Sequence, residues 1–193
     1  MGIQLLDQNT INKIAAGEVI ERPSSVVKEL VENAIDAGAT AVTVEAKEGG
    51  ISFIRVTDNG SGIKKDEIDI AFKRHATSKI KSIEDLLTVS SLGFRGEALA
   101  SIAAVSQIEL ITKTKDDITG TRYQSEGSEV ISVEDIGAPD GTTFIIRNLF
   151  FNTPVRRKFL KSAMTEAGYI NALMQYMACL LYTSPSPRDL STS

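Results

Sequence analysis

Pro23-Ser24-Ser25-Val26-Val27-Lys28-Glu29-Leu30-Val31-Glu32-Asn33-Ala34-Ile35-Asp36-Ala37-Gly38 is the stretch on which the reading of this chain turns. Its punctuation describes one helix. Pro23 suits the first helical position, where a missing N–H costs nothing, and Gly38 suits the left-handed residue that closes a helix. Val27, Leu30, Val31 and Ala34 recur at the spacing of a buried stripe. Glu29 and Asn33 then fall together on the far side, one turn apart, with Glu32 and Asp36 beside them. Such an acidic face is more often simply solvated. The Glu-x-x-x-Asn pair adds chemistry: a carboxylate able to take a proton from water, one turn from a neutral amide oxygen able to bind a hard cation.

Working outward, residues 1–9 form a mildly apolar arm, and Thr10 is placed to cap a small helix over Ile11–Ala16, closed by Gly17. After the organising helix, Ala41–Lys47 and Ile51–Thr57 alternate as two strands of a hairpin around Glu48-Gly49-Gly50. Lys64–Phe72 reads as a helix. Residues 76–96 are polar, punctuated by glycine and expected to be mobile. Glu97–Val105 is helical in pattern. Four strands follow, Ile108–Thr112, Thr121–Glu126, Glu129–Val133 and Thr142–Arg147, joined by short turns that favour antiparallel neighbours. Helices are expected at Pro154–Lys161 and Met164–Leu181. The fold class is α+β: a two-layer sandwich of a mostly antiparallel mixed sheet with helices on one face.

The 193 residues allow one well-buried domain, and 42% hydrophobic and 24% charged residues are ordinary globular values. A net charge of −4 gives no broad attraction for DNA or anionic membrane, so any such contact needs a local patch. One cysteine, Cys179, excludes an internal disulfide and a cysteine-based zinc site; one histidine, His75, leaves no His-rich metal site. His75 reads as structural. No apolar run approaches the roughly 18 residues that span a bilayer, and no secretion signal opens the chain.

Two glycine clusters offer nucleotide chemistry. Asp58-Asn59-Gly60-Ser61-Gly62 ends a strand, which places Asp58 to accept from an exocyclic amine; a tight turn is the plainer alternative. Gly93-Phe94-Arg95-Gly96 precedes a helix start and suits an oxyanion, although an ordinary loop fits as well. Thr77-Ser78-Lys79 adds hydroxyls and an ammonium. Neither cluster is a Walker A loop or a dinucleotide fingerprint.

With these pieces in order, the chain resembles the MutL family of DNA mismatch-repair ATPases, part of the superfamily that includes DNA gyrase, a heat-shock chaperone and sensor histidine kinases. The matching runs include Ile14-Ala15-Ala16-Gly17-Glu18-Val19-Ile20-Glu21-Arg22-Pro23, Lys28-Glu29-Leu30-Val31-Glu32-Asn33, Arg74-His75-Ala76-Thr77-Ser78-Lys79 and Gly93-Phe94-Arg95-Gly96-Glu97-Ala98-Leu99. Gly141-Thr142-Thr143 and Asn152-Thr153-Pro154-Val155-Arg156-Arg157-Lys158-Phe159 extend it, to about residue 178.

The resemblance implies a Bergerat-type ATP-binding fold and a slow Mg²⁺-dependent ATPase whose nucleotide drives dimerisation and clamp closure. Glu29 would activate water, and Asn33 would bind Mg²⁺. Asp58 would recognise adenine, with Ala37 and Gly62 shaping its pocket and Thr143 near the base. Thr77, Ser78 and Lys79, with Gly93, Phe94, Arg95, Gly96, Glu97, Ala98 and Leu99, would cover the phosphates, giving a lid at about 74–96 within an ATP-binding domain over 21–178. The arm at 1–20 would cross to a second copy in an ATP-dependent homodimer.

Arg156, Arg157, Lys158 and Lys161 offer a local patch for DNA phosphate, with a solvated helix end as the alternative. Other implied partners are a mismatch-recognition protein and further repair factors, with no membrane, in the cytoplasm at the nucleoid if the source is bacterial. A lysine from a following domain reaches the γ-phosphate in the family, and many members end in a dimerisation domain with a nuclease site. The family pattern fades near Cys179, and residues 179–193 read as a disordered or foreign tail. A binding module switched by ATP, with little hydrolysis of its own, is the competing reading; a topoisomerase or kinase relative would share the ATP site but not the Gly93–Leu99 wording.

Overall fold

The organising helix forms as its punctuation indicates. In the computed structural model, which describes residues 7–73 and 97–183, α2 runs over Pro23–Asp36 with Pro23 in its first turn. Gly38 turns left-handed at φ +73°. The Gly38 N–H donates to the Ile35 carbonyl and the Ala39 N–H to the Ala34 carbonyl, which closes the helix end. Val26, Val27, Leu30, Val31 and Ala34 are buried, each contributing about 1.5–3 kcal/mol if fully removed from water, less for alanine.

The described residues form one six-stranded sheet in the order β1-β2-β6-β3-β4-β5. Its strands are β1 (Val42–Lys47), β2 (Phe53–Asp58), β3 (Gln107–Lys113), β4 (Gly120–Glu126), β5 (Glu129–Ile136) and β6 (Gly141–Arg147). Every described pairing is antiparallel, the strict form of the mostly antiparallel sheet expected. β6 inserts between β2 and β3, so the two hairpin units are stitched by the last strand rather than by sequence neighbours.

Cross-strand rows organise the covered face. Ile54, Ile146 and Ile108 form one row; Val56, Phe144, Leu110 and Tyr123 form the next, and all are buried. α2 lies over β1 and β2, and α4 (Ala98–Ala104) meets β4. α1 (Gln8–Val19) packs along α4, and α6 (Ala163–Thr183) packs against α2. α3 (Lys65–Ala71) leads into Phe72, whose ring stacks on Tyr123 at 4.6 Å. α5 (Pro154–Phe159) follows the sheet. The opposite face carries polar pairs: Glu109 binds Arg122 at 2.8 Å and Arg147 at 2.9 Å, Arg55 pairs with Glu45, and Thr143 donates to Thr57.

Some local expectations change. α1 is capped by Asp7, whose carboxylate accepts the Thr10 N–H at 2.9 Å and the Thr10 hydroxyl at 2.7 Å. The helix runs through Gly17 instead of ending there, although a glycine inside a helix costs about 1 kcal/mol relative to alanine. Glu32 is buried, 4% exposed, where a solvated acid was expected. The Lys28 ammonium lies 2.7 Å from its Oε1, while Oε2 has no hydrogen-bond partner. α6 continues past Cys179 to Thr183.

Candidate nucleotide site

Asp58 ends β2, and strand alternation fixes its direction. Ile54 and Val56 point under the helices, so Asp58, two residues on, points there too. It stands opposite Thr142 of β6, which stands opposite Thr112 of β3, itself opposite Thr121 of β4. The covered face therefore turns from apolar rows to a polar row at the end of the sheet where α2 finishes. Thr112 Oγ1 accepts the Ile63 N–H at 2.8 Å, lies 3.2 Å from the Gly141 carbonyl and 3.1 Å from Thr142 Oγ1.

Burial pushes the Asp58 carboxyl above its ordinary value, against the pull of the Gly60 and Thr142 N–H groups that donate to it. The Gly60 contact is 2.8 Å. A carboxylate that has lost water and retains acceptor capacity gains from a further donor.

The loop after Asp58 is locked to α2. The Ser61 N–H donates to the Ala37 carbonyl at 2.9 Å, and Asn59 Oδ1 accepts the Thr40 and Ala41 N–H groups at 2.9 Å. Gly62 takes φ +73°, and a Cβ there would collide with the Lys113 carbonyl, so both backbone angle and space demand glycine. A cavity of about 500 Å³ opens beside this loop, lined by Ala37, Gly60, Gly62, Lys64, Thr114 and Lys115 among others.

Ala37 joins the two halves of the candidate site. Glu29 and Asn33 are one turn apart on α2, with about 5–6 Å between their Cβ atoms, and Ala37, the residue that caps the helix, follows four residues on. The Ala37 N–H donates to the Asn33 carbonyl at 2.9 Å. Glu29 and Asn33 are both half-buried, with 23% of the Glu29 side chain exposed and the Lys28 ammonium 3.8 Å from its Oε1. That exposure suits a group that must meet water.

The described residues hold no cluster of three or more His, Cys, Asp or Glu able to cage a metal. A lone amide such as Asn33 fits Mg²⁺ that takes its remaining ligands from phosphate and water, the usual arrangement for this cation.

Other candidates divide. Glu97 occupies the position that opens α4, and Leu99 packs against the core; Ala98 is half-buried. Thr77, Ser78, Lys79, Gly93, Phe94, Arg95 and Gly96, with the whole lid at 74–96, lie outside the described residues. The Thr143 side chain is not brought to the site. Its hydroxyl donates to Thr57 Oγ1 at 3.1 Å on the polar face, opposite Asp58. Thr142, not Thr143, stands beside Asp58 on the covered face. The basic patch is also split: Arg157, Lys158 and Lys161 are exposed, but Arg156 turns away to donate to the Ile14 carbonyl at 3.3 Å.

Glu29 and Asn33 stand one turn apart on α2, and the strand-end Asp58 lies on the face that the helices cover; likeness to known proteins decides the family. Residues 20–142 match the model of the histidine kinase-, DNA gyrase B- and HSP90-like ATPases. The chain belongs to that family. Within this ATPase family, its likeness is to MutL. It is 69% identical over 176 residues to the DNA mismatch repair protein MutL of Agathobacter rectalis, covering 91% of this chain and 27% of that protein. Against the MutL of Acidobacterium capsulatum it is 56% identical over 176 residues, covering 91% and 26%. The chain thus spans about a quarter of the length of these relatives. Among solved structures, the Aquifex aeolicus MutL ATPase domain complexed with ADP superposes with a TM-score of 0.65 at 37% identity, covering 83% of this chain and 56% of that one. No helix among the described residues is long and apolar enough to cross a membrane.

Proposed function

We propose that this chain is the nucleotide-binding part of a MutL protein, which binds and slowly hydrolyses Mg·ATP to drive N-terminal dimerisation and clamp closure in DNA mismatch repair. The observation that carries the reading is Asp58: a desolvated carboxylate on the covered face at the end of β2, braced by the Gly60 and Thr142 N–H groups. Its remaining acceptor capacity matches the exocyclic amine of adenine, and the Aquifex aeolicus ATPase domain of like fold is an ADP complex.

Glu29 orients water and accepts its proton, a role that its partial exposure supports. The Asn33 amide oxygen would hold Mg²⁺, which neutralises charge on the triphosphate when bound. Ala37 and Gly62 line the hollow beside the loop that follows Asp58, and would bound the base. Thr77, Ser78, Lys79 and Gly93 through Leu99 would supply hydroxyl, ammonium and N–H donors to the phosphates. Positioning and electrostatics of this kind carry most phosphoryl transfers.

Arg157, Lys158 and Lys161, exposed around α5, are the groups available to DNA phosphate in the clamp. A mismatch-recognition protein and other repair factors are the remaining partners of this reading, in the bacterial cytoplasm.

Calorimetry with Mg·ADP and Mg·IDP, which lacks the amine, tests it. ADP is expected to bind more tightly by about 5- to 150-fold, the equivalent of one unsatisfied buried group at about 1–3 kcal/mol. Equal affinities would overturn the adenine assignment.

A further inference from the structure

Gly17 sits inside α1, where glycine weakens a helix and nothing in α1 itself requires it. The space beside it is taken from α5. The Arg156 guanidinium lies in the space that a Gly17 side chain would fill, so that a Cβ there would overlap it outright. Arg156 Nη2 donates to the Ile14 carbonyl at 3.3 Å, one turn back along α1, while Nη1 is buried with no protein acceptor.

The residues leading into α5 grip a second helix. The Phe150 N–H donates to the Val105 carbonyl at 2.7 Å, and Asn152 Nδ2 donates to the Ala104 carbonyl at 2.9 Å, both at the carboxyl end of α4. Phe150 does this at φ +63°, a conformation that a bulky side chain rarely adopts, with its ring fully buried. α1 in turn packs along α4 and buries Ala16 and Ile20.

We propose that Arg156 is a latch that seats α1 on the body of the domain through Gly17, so that α1, α4 and residues 148–156 move as one unit. The consequence follows from position. α4 begins directly after the glycine cluster at 93–96, so displacement of the N-terminal helix is felt at the start of α4. Only that consequence rests on the nucleotide reading; the latch itself is a property of the fold. It also removes Arg156 from the pool of cations free to meet DNA.

Amide hydrogen exchange on the full 193-residue chain tests the latch without nucleotide, so its outcome is independent of ATP-site function. Arg156→Gln is expected to speed exchange across α1 by about tenfold or more, the scale of a lost hydrogen bond to a charged group, while Arg157→Gln leaves it unchanged. Gly17→Ala supplies the decisive arm. Helix propensity alone predicts better protection of α1; eviction of the guanidinium predicts faster exchange. The double variant is expected to exchange no faster than either single variant, since both break one contact and the alanine then keeps its gain in helix propensity. Unchanged protection in Arg156→Gln, improved protection in Gly17→Ala, or additive effects would each overturn the latch. If Arg156→Gln does not fold, the direction of change in Gly17→Ala decides.

Discussion

Asp58→Asn is expected to push apo stability and nucleotide affinity in opposite directions. Oδ1 accepts the Gly60 N–H at 2.8 Å, and the asparagine oxygen, with two lone pairs, has the capacity for both that donor and the Thr142 N–H. The new amide group then faces the ligand with N–H in place of an acceptor. The adenine amine loses its partner, which weakens binding by about 1–3 kcal/mol, or about 5- to 150-fold. Stability responds differently because burial raises the Asp58 carboxyl above its ordinary value of 3.8. A raised acid binds its proton more tightly folded than unfolded, so its contribution is fully present below the unfolded value and is lost as pH rises through the folded one. At neutral pH the ionised aspartate therefore weighs against the apo fold, and asparagine relieves it. Urea denaturation at pH 7 is expected to show the variant at least as stable as the parent, while calorimetry shows weaker Mg·ADP binding. A variant that is both less stable and unchanged in affinity would refute the reasoning, since Asp58 would then be a turn residue serving the fold.

The remaining expectations are shorter. Glu29→Gln should keep Mg·ATP binding and slow single-turnover hydrolysis by about 10²–10⁴-fold; equal losses in both would deny it the role of base. Asn33→Ala should abolish the magnesium dependence of nucleotide affinity in a magnesium titration, and an unchanged titration removes Asn33 from the metal. Lys28→Ala strips the ammonium from Glu32, whose side chain is 6% exposed; urea midpoints should fall by the equivalent of about 1–3 kcal/mol, toward the lower end because Lys28 is itself 46% exposed. Glu109 is buried, which alone would raise its carboxyl, but hydrogen bonds from Arg147 and Arg122 prevail and hold it below 4.5. Its stabilisation is full above that value and lost as pH falls through the folded one, so Glu109→Gln should flatten the acid limb of stability against pH.

What could be read from the chain, and what could not, follows from the range of each interaction. Pro23 and Gly38 act on their own helix, so α2 was legible to within a residue. The face that Asp58 takes follows from Ile54 and Val56 alternating with Arg55 and Thr57, which sets the phase of β2 before any partner strand is known. β6 carries no such phase: Phe144-Ile145-Ile146 is apolar throughout, and a slip of one residue exchanges the two faces of a strand. Register against β2 alone puts Thr142, not Thr143, beside Asp58. The insertion of β6 between β2 and β3 is likewise a pairing across the chain that turn signals do not encode.

Gly17 and Glu32 failed for a related reason. Each was read from its own helix, Gly17 as a terminator and Glu32 as a solvated acid. The guanidinium that explains Gly17 comes from residue 156, and no periodicity in α1 contains it. Glu32 breaks the amphipathic rule outright: a carboxylate with one orphaned oxygen is a poor use of a buried position on stability grounds alone. Departures of that sort gather where a fold serves something besides its own stability. Glu32 is such a departure, one residue from the Asn33 that the proposed function gives to Mg²⁺, whereas Gly17 answers to the Arg156 guanidinium. That rule-breaking position, more than its rule-keeping neighbours, thus points to α2 as the helix on which chemistry is to be sought.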